Sequence, residues 1–302
     1  MNKKKQKLFD AAKEKGVKFV GILPLTDYQR DYFIGYPYGY WLHKGQALLH
    51  FIEDRSKLAM LHFPKDVDSD ESIIENLKME IHMMVFHSAE SLLLTVFGHY
   101  FYPAAPWFWM SICTTNKFNN ILYLWQEKGM EAIIKEPEKW LRDTLYPTID
   151  ESHEAYHKTK VSAAFAKNYL DRLAHEYIKH KEYNAYKHGL RIFPSQSHFH
   201  AIDDKSVQGV TNIEEDFLEF LKYELREGND FEYRIAHTSQ NYDVNVDINI
   251  IRTTTLLFQN ILERKRAESK AVDGQKVTFS LALFDKLKVE DIFTKGYFEM
   301  RR

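Results

Sequence analysis

Ser69-Asp70-Glu71-Ser72-Ile73-Ile74-Glu75-Asn76-Leu77-Lys78-Met79-Glu80-Ile81-His82-Met83-Met84-Val85-Phe86-His87-Ser88-Ala89-Glu90-Ser91-Leu92-Leu93-Leu94-Thr95-Val96-Phe97-Gly98-His99-Tyr100 is the stretch that decides the fold. Asp68, Ser69 and Asp70 offer N-caps before it, and Pro103 and Pro106 stop it after Tyr100. The pattern predicts one long helix over 69–100. Its apolar residues lie on every side, and a helix without a polar face is a central one, buried by its neighbours. A chain built around such an element is mainly α, a helical bundle.

The polar residues of this helix therefore need an explanation. At 100° per residue, Glu80, His87 and Ser91 fall within about 40° of one another, and Glu90 lies one turn beyond His87, within side-chain reach. A buried carboxylate costs several kcal/mol unless it is paired or bound to a cation. Three explanations stay open on the sequence: a Glu–His hydrogen-bonded pair, contacts to polar groups of another helix, and a catalytic or metal-ligating role.

Outward from this helix, residues 3–15 read as a first helix and 17–22 as a short strand or extended segment. Residues 32–45 are aromatic and punctuated by Gly35, Gly39 and Gly45, which reads as a loop, with a helix resuming near Gln46. Helices are predicted over about 116–127, ending at Gly129, and over 137–145, with Pro137 in the first turn. A longer one is predicted over about 150–189. Its apolar face is Val161, Phe165, Tyr169, Leu173 and Tyr177, and in an unbroken helix His180, Asn184 and His188 continue that face. The texture changes after Gly189. Residues 190–193, 198–202 and 277–283, and the alternation of Phe231, Tyr233 and Ile235, read as strands, with helices near 213–225 and 246–268. The expected architecture is a helical bundle over 1–189, with residues 190–302 as an α+β C-terminal portion carrying a small antiparallel sheet. That portion packs on the bundle, and the two can form one domain.

The 302 residues are 44% hydrophobic and 28% charged, with a net charge of -2. This composition is that of a globular protein, and its balance lacks the basic excess of a dedicated nucleic-acid or anionic-membrane binder. A local basic face remains compatible with it. Cys113 is the sole cysteine, which excludes an intramolecular disulfide and fits a reducing compartment. No signal-peptide pattern follows the basic N-terminus, and the most apolar run, Leu92 to Phe97, is far shorter than the ~20 residues of a membrane span. A cytoplasmic protein without a membrane partner is expected.

His153-Glu154-Ala155-Tyr156-His157 matches the H-E-x-x-H pattern of zinc hydrolases, and Glu176 follows at a distance that one zinc-peptidase family uses. Both histidines fall on the polar side of their helix, opposite Phe165 and Tyr169, with charged flanks at Asp150, Glu151 and Lys158. A solvated helix face is the favoured reading.

Tyr183-Asn184-Ala185-Tyr186-Lys187-His188-Gly189 resembles the end of the catalytic helix in HEPN-like proteins, helical bundles that bind nucleotides and RNA, many of them in defence systems. Asn184 and His188 stand at the motif's Asn and His, and Tyr183 stands where active members carry Arg. The resemblance implies a catalytic or binding pair at Asn184 and His188, with Tyr183 and Lys187 nearby on the ligand; Glu90, one turn from His87, is a further ligand-binding candidate. The resemblance also implies a nucleic-acid or protein partner, homodimerisation, no cofactor, and little ribonuclease activity without the Arg that stabilises phosphate charge.

A second resemblance is to haem-oxygenase-like di-iron oxidases, which place a Glu and a His seven apart on one helix. Glu80 and His87 match that element, and His180, Asn184 and His188 partly match the family's His-rich run. The metal set it implies is iron at Glu80, His87, His180 and His188, with Glu138, Glu151 or Glu154 supplying a middle acid. An enzyme, a binding module and a non-enzymatic structural protein thus all stay open here.

Four other features have two readings. The aromatics Tyr100, Phe101, Tyr102, Trp107, Phe108 and Trp109 read as a packed helix corner or as a surface for stacking on a base, and the aromatic stretch Tyr32–Trp41 has the same two readings. His198 and His200 read as a strand face or a metal pair. Glu263-Arg264-Lys265-Arg266 suits a helix C-terminus or a nucleic-acid contact. No phosphate-binding loop and no nucleophile-elbow motif occurs.

Overall fold

The structure is a computed structural model. It describes residues 33, 35–61, 70–147, 149, 151–179, 182–187, 192–195, 217–226, 232–272, 281–293 and 299–301. The chain divides into two compact units, Met1–Tyr36 and Pro37–Arg302, and the second holds the described helices from Tyr40 onward. The expected elements at 3–15 and 17–22, and the histidines His198 and His200, lie outside the described residues.

Helix dominates. The elements are α1 (Tyr40–Glu53), α2 (Asp70–Phe101), α3 (Pro106–Ile112), α4 (Thr115–Lys128), α5 (Pro137–Leu145), α6 (Glu154–Lys179), α7 (Glu182–Lys187), α8 (Val244–Val272) and α9 (Val289–Ile292). Their ends follow from local chemistry. The Thr114 hydroxyl accepts the Lys117 amide at the start of α4, and Gly129, at φ 79°, ends it in a conformation that costs glycine least. Pro137 sits at the first position of α5, where its missing N–H removes nothing from the helix.

The central helix is as long and as buried as its sequence requires. Ile81, Met83, Met84, Leu92, Leu93 and Phe97 of α2 are fully enclosed. By length and mean hydropathy α2 would cross a membrane, but 78% of its most apolar window is buried inside the protein. α1 and α8 pack along α2, α3 folds back on its C-terminal end, and α6 packs on α2, α4 and α5.

Three expectations need correction. The loop expected over 32–45 gives way to helix at Tyr40. Gly45 belongs inside α1 because a Cβ there would come within 3.0 Å of the Ile248 side chain of α8, so this glycine marks close helix packing and not a turn. The segment expected as one helix over 150–189 comprises two elements, α6 and α7, with residues 180 and 181 outside the described ones. Val161, placed on the apolar face of α6, is 37% exposed, while Phe165, Tyr169 and Leu173 are buried.

One short segment is held in a way that sequence patterning does not announce. Asn260 of α8 donates from Nδ2 to the Ala282 carbonyl and accepts the Ala282 amide at Oδ1, both at 2.8 Å, as a neighbouring strand would. Ser162 of α6 accepts the Phe284 amide at 2.9 Å, and the Phe284 ring stacks on Phe165 with centroids 5.0 Å apart. Ala282 and Phe284 thereby satisfy backbone groups on side chains of two helices.

Candidate functional site

α7 brings Tyr183, Tyr186 and Lys187 onto the polar residues of α2, and α1 brings Trp41 and Lys44 to the same place. Tyr183 is buried, and its hydroxyl lies 2.8 Å from both His87 Nδ1 and Glu90 Oε2. The same Glu90 oxygen accepts the Lys187 ammonium at 2.6 Å, and that ammonium also sits 4.2 Å from the Tyr183 ring centroid. A phenol has one proton. With Glu90 an acceptor of Lys187, the phenol donates to Glu90 and its oxygen takes the Nδ1–H of His87. His87 is then left with a bare lone pair on Nε2.

The surroundings of the imidazole fix its plane and its charge. Trp41 stacks on it, with centroids 5.0 Å apart and planes 6° from parallel. Tyr183 and Tyr186 meet it edge-on. Burial lowers the His87 pKa below the ordinary histidine value and Lys187 lowers it further, against the opposing pull of Glu90 and Glu80. His87 is therefore a neutral, oriented imidazole at pH 7.

Glu80, one helical repeat away, has both oxygens engaged. Oε1 accepts the Lys44 ammonium at 2.5 Å, and Oε2 accepts the Tyr186 hydroxyl at 2.6 Å. Burial and this carboxylate push the Tyr186 pKa up to about 12. Burial, then the Glu90 charge, drives Tyr183 far above the ordinary phenol range, so its proton stays in place. The two lysines and two glutamates cancel in charge, and the site offers acid–base chemistry and ring stacking more than a strong field.

Of the residues singled out in the sequence, the structure brings together Glu80, His87, Glu90, Tyr183 and Lys187. Glu80 and His87 do not bond to each other; each bonds instead to partners on other helices. Asn184 lies in α7, and His180 and His188 lie outside the described residues. Among the described residues no group of three or more His, Cys, Asp and Glu is placed to hold a metal ion. Glu151 accepts from the Tyr156 hydroxyl, and Glu154 pairs with Lys158. In the H-E-x-x-H run, His153 and His157 are both exposed, and Glu176 is buried against Arg172 at 2.6 Å.

The sequence assigns no role to Lys44 or Tyr186, and offers Trp41 only within the aromatic Tyr32–Trp41 stretch. The signal for Lys44 was the unmet need of Glu80 for a cation; Trp41 was hidden in a stretch read as loop. The pair His82 and Asp247 was missed too. It joins α2 to α8 at 3.0 Å with both side chains fully buried. Compared with protein-family models, with curated proteins and with solved structures, the chain matches none.

Proposed function

We propose that this chain is a HEPN-like helical protein that binds nucleic acid or a protein partner where α7 meets α2, without strong ribonuclease activity. One observation carries the reading. Tyr183 and Lys187, from the stretch that resembles the HEPN-like motif, close directly on His87 and Glu90 of the central helix. At the motif's Arg position stands Tyr183, a buried side chain whose hydroxyl is spent on His87 and Glu90, so it does not reach a phosphate in solvent. Binding in place of cleavage follows, with Asn184 and His188 completing the site, in a cytoplasmic homodimer.

The finer part of the fold belongs to the same reading. The segments Ile192–Ser195, Phe217–Arg226, Glu232–Asn241 and Glu299–Arg301 form a small antiparallel sheet in that order. The backbone register that pairs Phe217 with Asn241 and Arg226 with Glu232 supports it.

The test is a fluorescence-anisotropy titration with single-stranded RNA, duplex RNA and single-stranded DNA, run beside a crosslinking assay for self-association. Dissociation constants tighter than the roughly 10⁻⁴ M of weak non-specific binding, weakened in Lys187→Glu, are expected for one of these probes. Flat titrations with all three, and no captured partner that Lys187→Glu releases, would remove the proposal. Near-stoichiometric iron lost on His87→Ala would replace it with the iron site at Glu80, His87, His180 and His188. That site requires Glu80 to leave both Lys44 and Tyr186.

A further inference from the structure

The corner where α2 turns into α3 has an unusual charge pattern. From Ser91 to Gln126 there is no Asp or Glu, and from Tyr100 to Gln126 the one Lys or Arg is Lys117. Within that stretch Phe101, Phe108 and Ile112 are 41%, 40% and 48% exposed, and Tyr102 and Trp107 are half-buried between them in sequence. The corner is held by ring contacts and a close backbone approach. The Phe101 ring stacks on Trp109 with centroids 5.3 Å apart, and Tyr102 meets Phe108 at 5.9 Å. Gly98 lets the Pro106 carbonyl come so near that a Cβ would lie 2.8 Å from it, which clamps α3 onto α2. The Lys117 ammonium sits 5.1 Å from the Trp109 ring centroid, beside this apolar surface.

Isolated exposed apolar residues are ordinary on any surface, but a held cluster marks an interaction site. The area is too small for a second copy of the chain. Three side chains, each large and a little under half exposed, offer roughly 250 Å², well under the ~800 Å² per partner of a stable protein interface. The composition fits a bilayer interface instead. Trp, Tyr and Phe settle at the headgroup level, the Ser91–Gln126 stretch itself carries no carboxylate to repel lipid phosphate, and its single Lys or Arg is a cation beside the exposed aromatics.

We propose that the α2–α3 corner is a peripheral membrane contact, with Phe101, Phe108 and Ile112 entering the acyl boundary of an anionic bilayer and Lys117 at its headgroups. α2 itself stays in the protein core. The contact is independent of the α7–α2 site.

The experiment is co-sedimentation of the full chain with phosphatidylglycerol–phosphatidylcholine vesicles and with pure phosphatidylcholine vesicles. Tryptophan quenching by brominated lipid is read in parallel on the unmodified chain. Sedimentation with the anionic vesicles, quenching by brominated lipid, and a roughly five-fold or greater loss of binding in Phe108→Glu and in Ile112→Glu are expected. Lys117→Glu should lower binding to the anionic vesicles alone. Circular dichroism verifies that each variant folds, and the quenching measurement needs no variant at all. Three results overturn the proposal: a chain that stays in the supernatant unquenched, exposed-residue variants that bind as the unmodified chain does, and concentration-dependent self-association lost in Phe108→Glu without vesicle binding.

Discussion

Two histidines of α2 lie five residues apart and live in opposite circumstances. His82 is sealed against Asp247, Tyr242 and Phe86, with no exposed surface on His82 or on the Asp247 carboxylate it bonds. His87 is half-buried, stacked on Trp41, and tied through Tyr183 to Glu90 and Lys187. Both are His–carboxylate arrangements on an apolar helix, one direct and one relayed through a phenol. The difference is access. A sealed pair joins two helices and meets no ligand; an open one keeps a lone pair within reach of solvent while its carboxylate orients it. Polar residues on a central helix thus divide into those that fix packing and those that are available for chemistry.

The sealed pair should produce the largest effect. Asp247→Ala strips His82 of its fully buried hydrogen-bond partner, and leaving a buried donor unsatisfied beside a carboxylate's former site costs about 3 kcal/mol, the upper end for such groups. A urea midpoint that moves by that amount, with RNA or partner binding per folded molecule unchanged, would set the sealed pair apart from the site. A variant that stays as stable as the unmodified chain and loses binding would erase the distinction drawn above.

A third histidine of α2 sharpens the comparison through pH. Burial, and the charge of Lys265 after it, holds the His99 pKa down to about 3. Between the ordinary value of 6.5 and about 3 the unfolded chain binds a proton that the folded chain refuses. Stability therefore rises with pH across that window and is lost as pH falls through it, by at most about 1.4 kcal/mol per pH unit for one group. His87 adds to the upper end of the same slope, since its folded pKa is also depressed. Denaturant midpoints from pH 7 to pH 4 should fall, and His99→Gln should flatten the decline. An unchanged slope in that variant would assign the acid sensitivity elsewhere.

At the open site the expected loss is smaller. Tyr183→Phe removes the hydroxyl that serves His87 and Glu90, leaving two part-buried groups to find water or each other, at about 1–3 kcal/mol. Its second readout is the His87 titration by NMR, which a purely structural tyrosine would not move. Lys187→Gln raises the His87 pKa, because the ammonium is among the groups that lower it. No change in either variant would mean that the relay is not intact in solution.

The legible part of this fold was the part written in long periodic runs. α2 could be read from its caps, its prolines and its all-round apolar pattern, and α5 from Pro137 and its spacing. The mainly helical class follows from these. What escaped depends on pairing across distance. Gly45 reads as a loop marker until Ile248, some two hundred residues on, is seen to fill the space its missing Cβ leaves. Tyr40 and Trp41 look like loop aromatics until α1 sets Trp41 against His87, with Tyr40 edge-on to Trp41. Of the site itself, the need of Glu80 and His87 for partners was visible, as were Tyr183 and Lys187 by resemblance. The identity of those partners was not, since nothing local in Glu80 points to Lys44 or in His82 to Asp247.

The smallest expected effect concerns the most recognisable motif in the chain. His153 and His157 have the spacing of a zinc-hydrolase pair, yet His153 precedes the first residue of α6 and accepts the Ala155 amide at Nδ1, 3.1 Å away. That amide belongs to the first turn of the helix, so the ring serves as a local cap in place of a ligand one turn from its partner. His157 stands exposed, and the third position, Glu176, is committed to Arg172. His157→Ala should then shift stability by no more than about 0.5 kcal/mol, as ordinary surface substitutions do. His153→Ala should cost slightly more because it removes the cap. Added zinc should leave the melting temperature of the unmodified chain and of both variants alike. A zinc-dependent rise in the unmodified chain that both variants abolish would reverse the assignment. It would also show that four-residue spacing on a helix can assemble a site even where the first ligand is placed outside it.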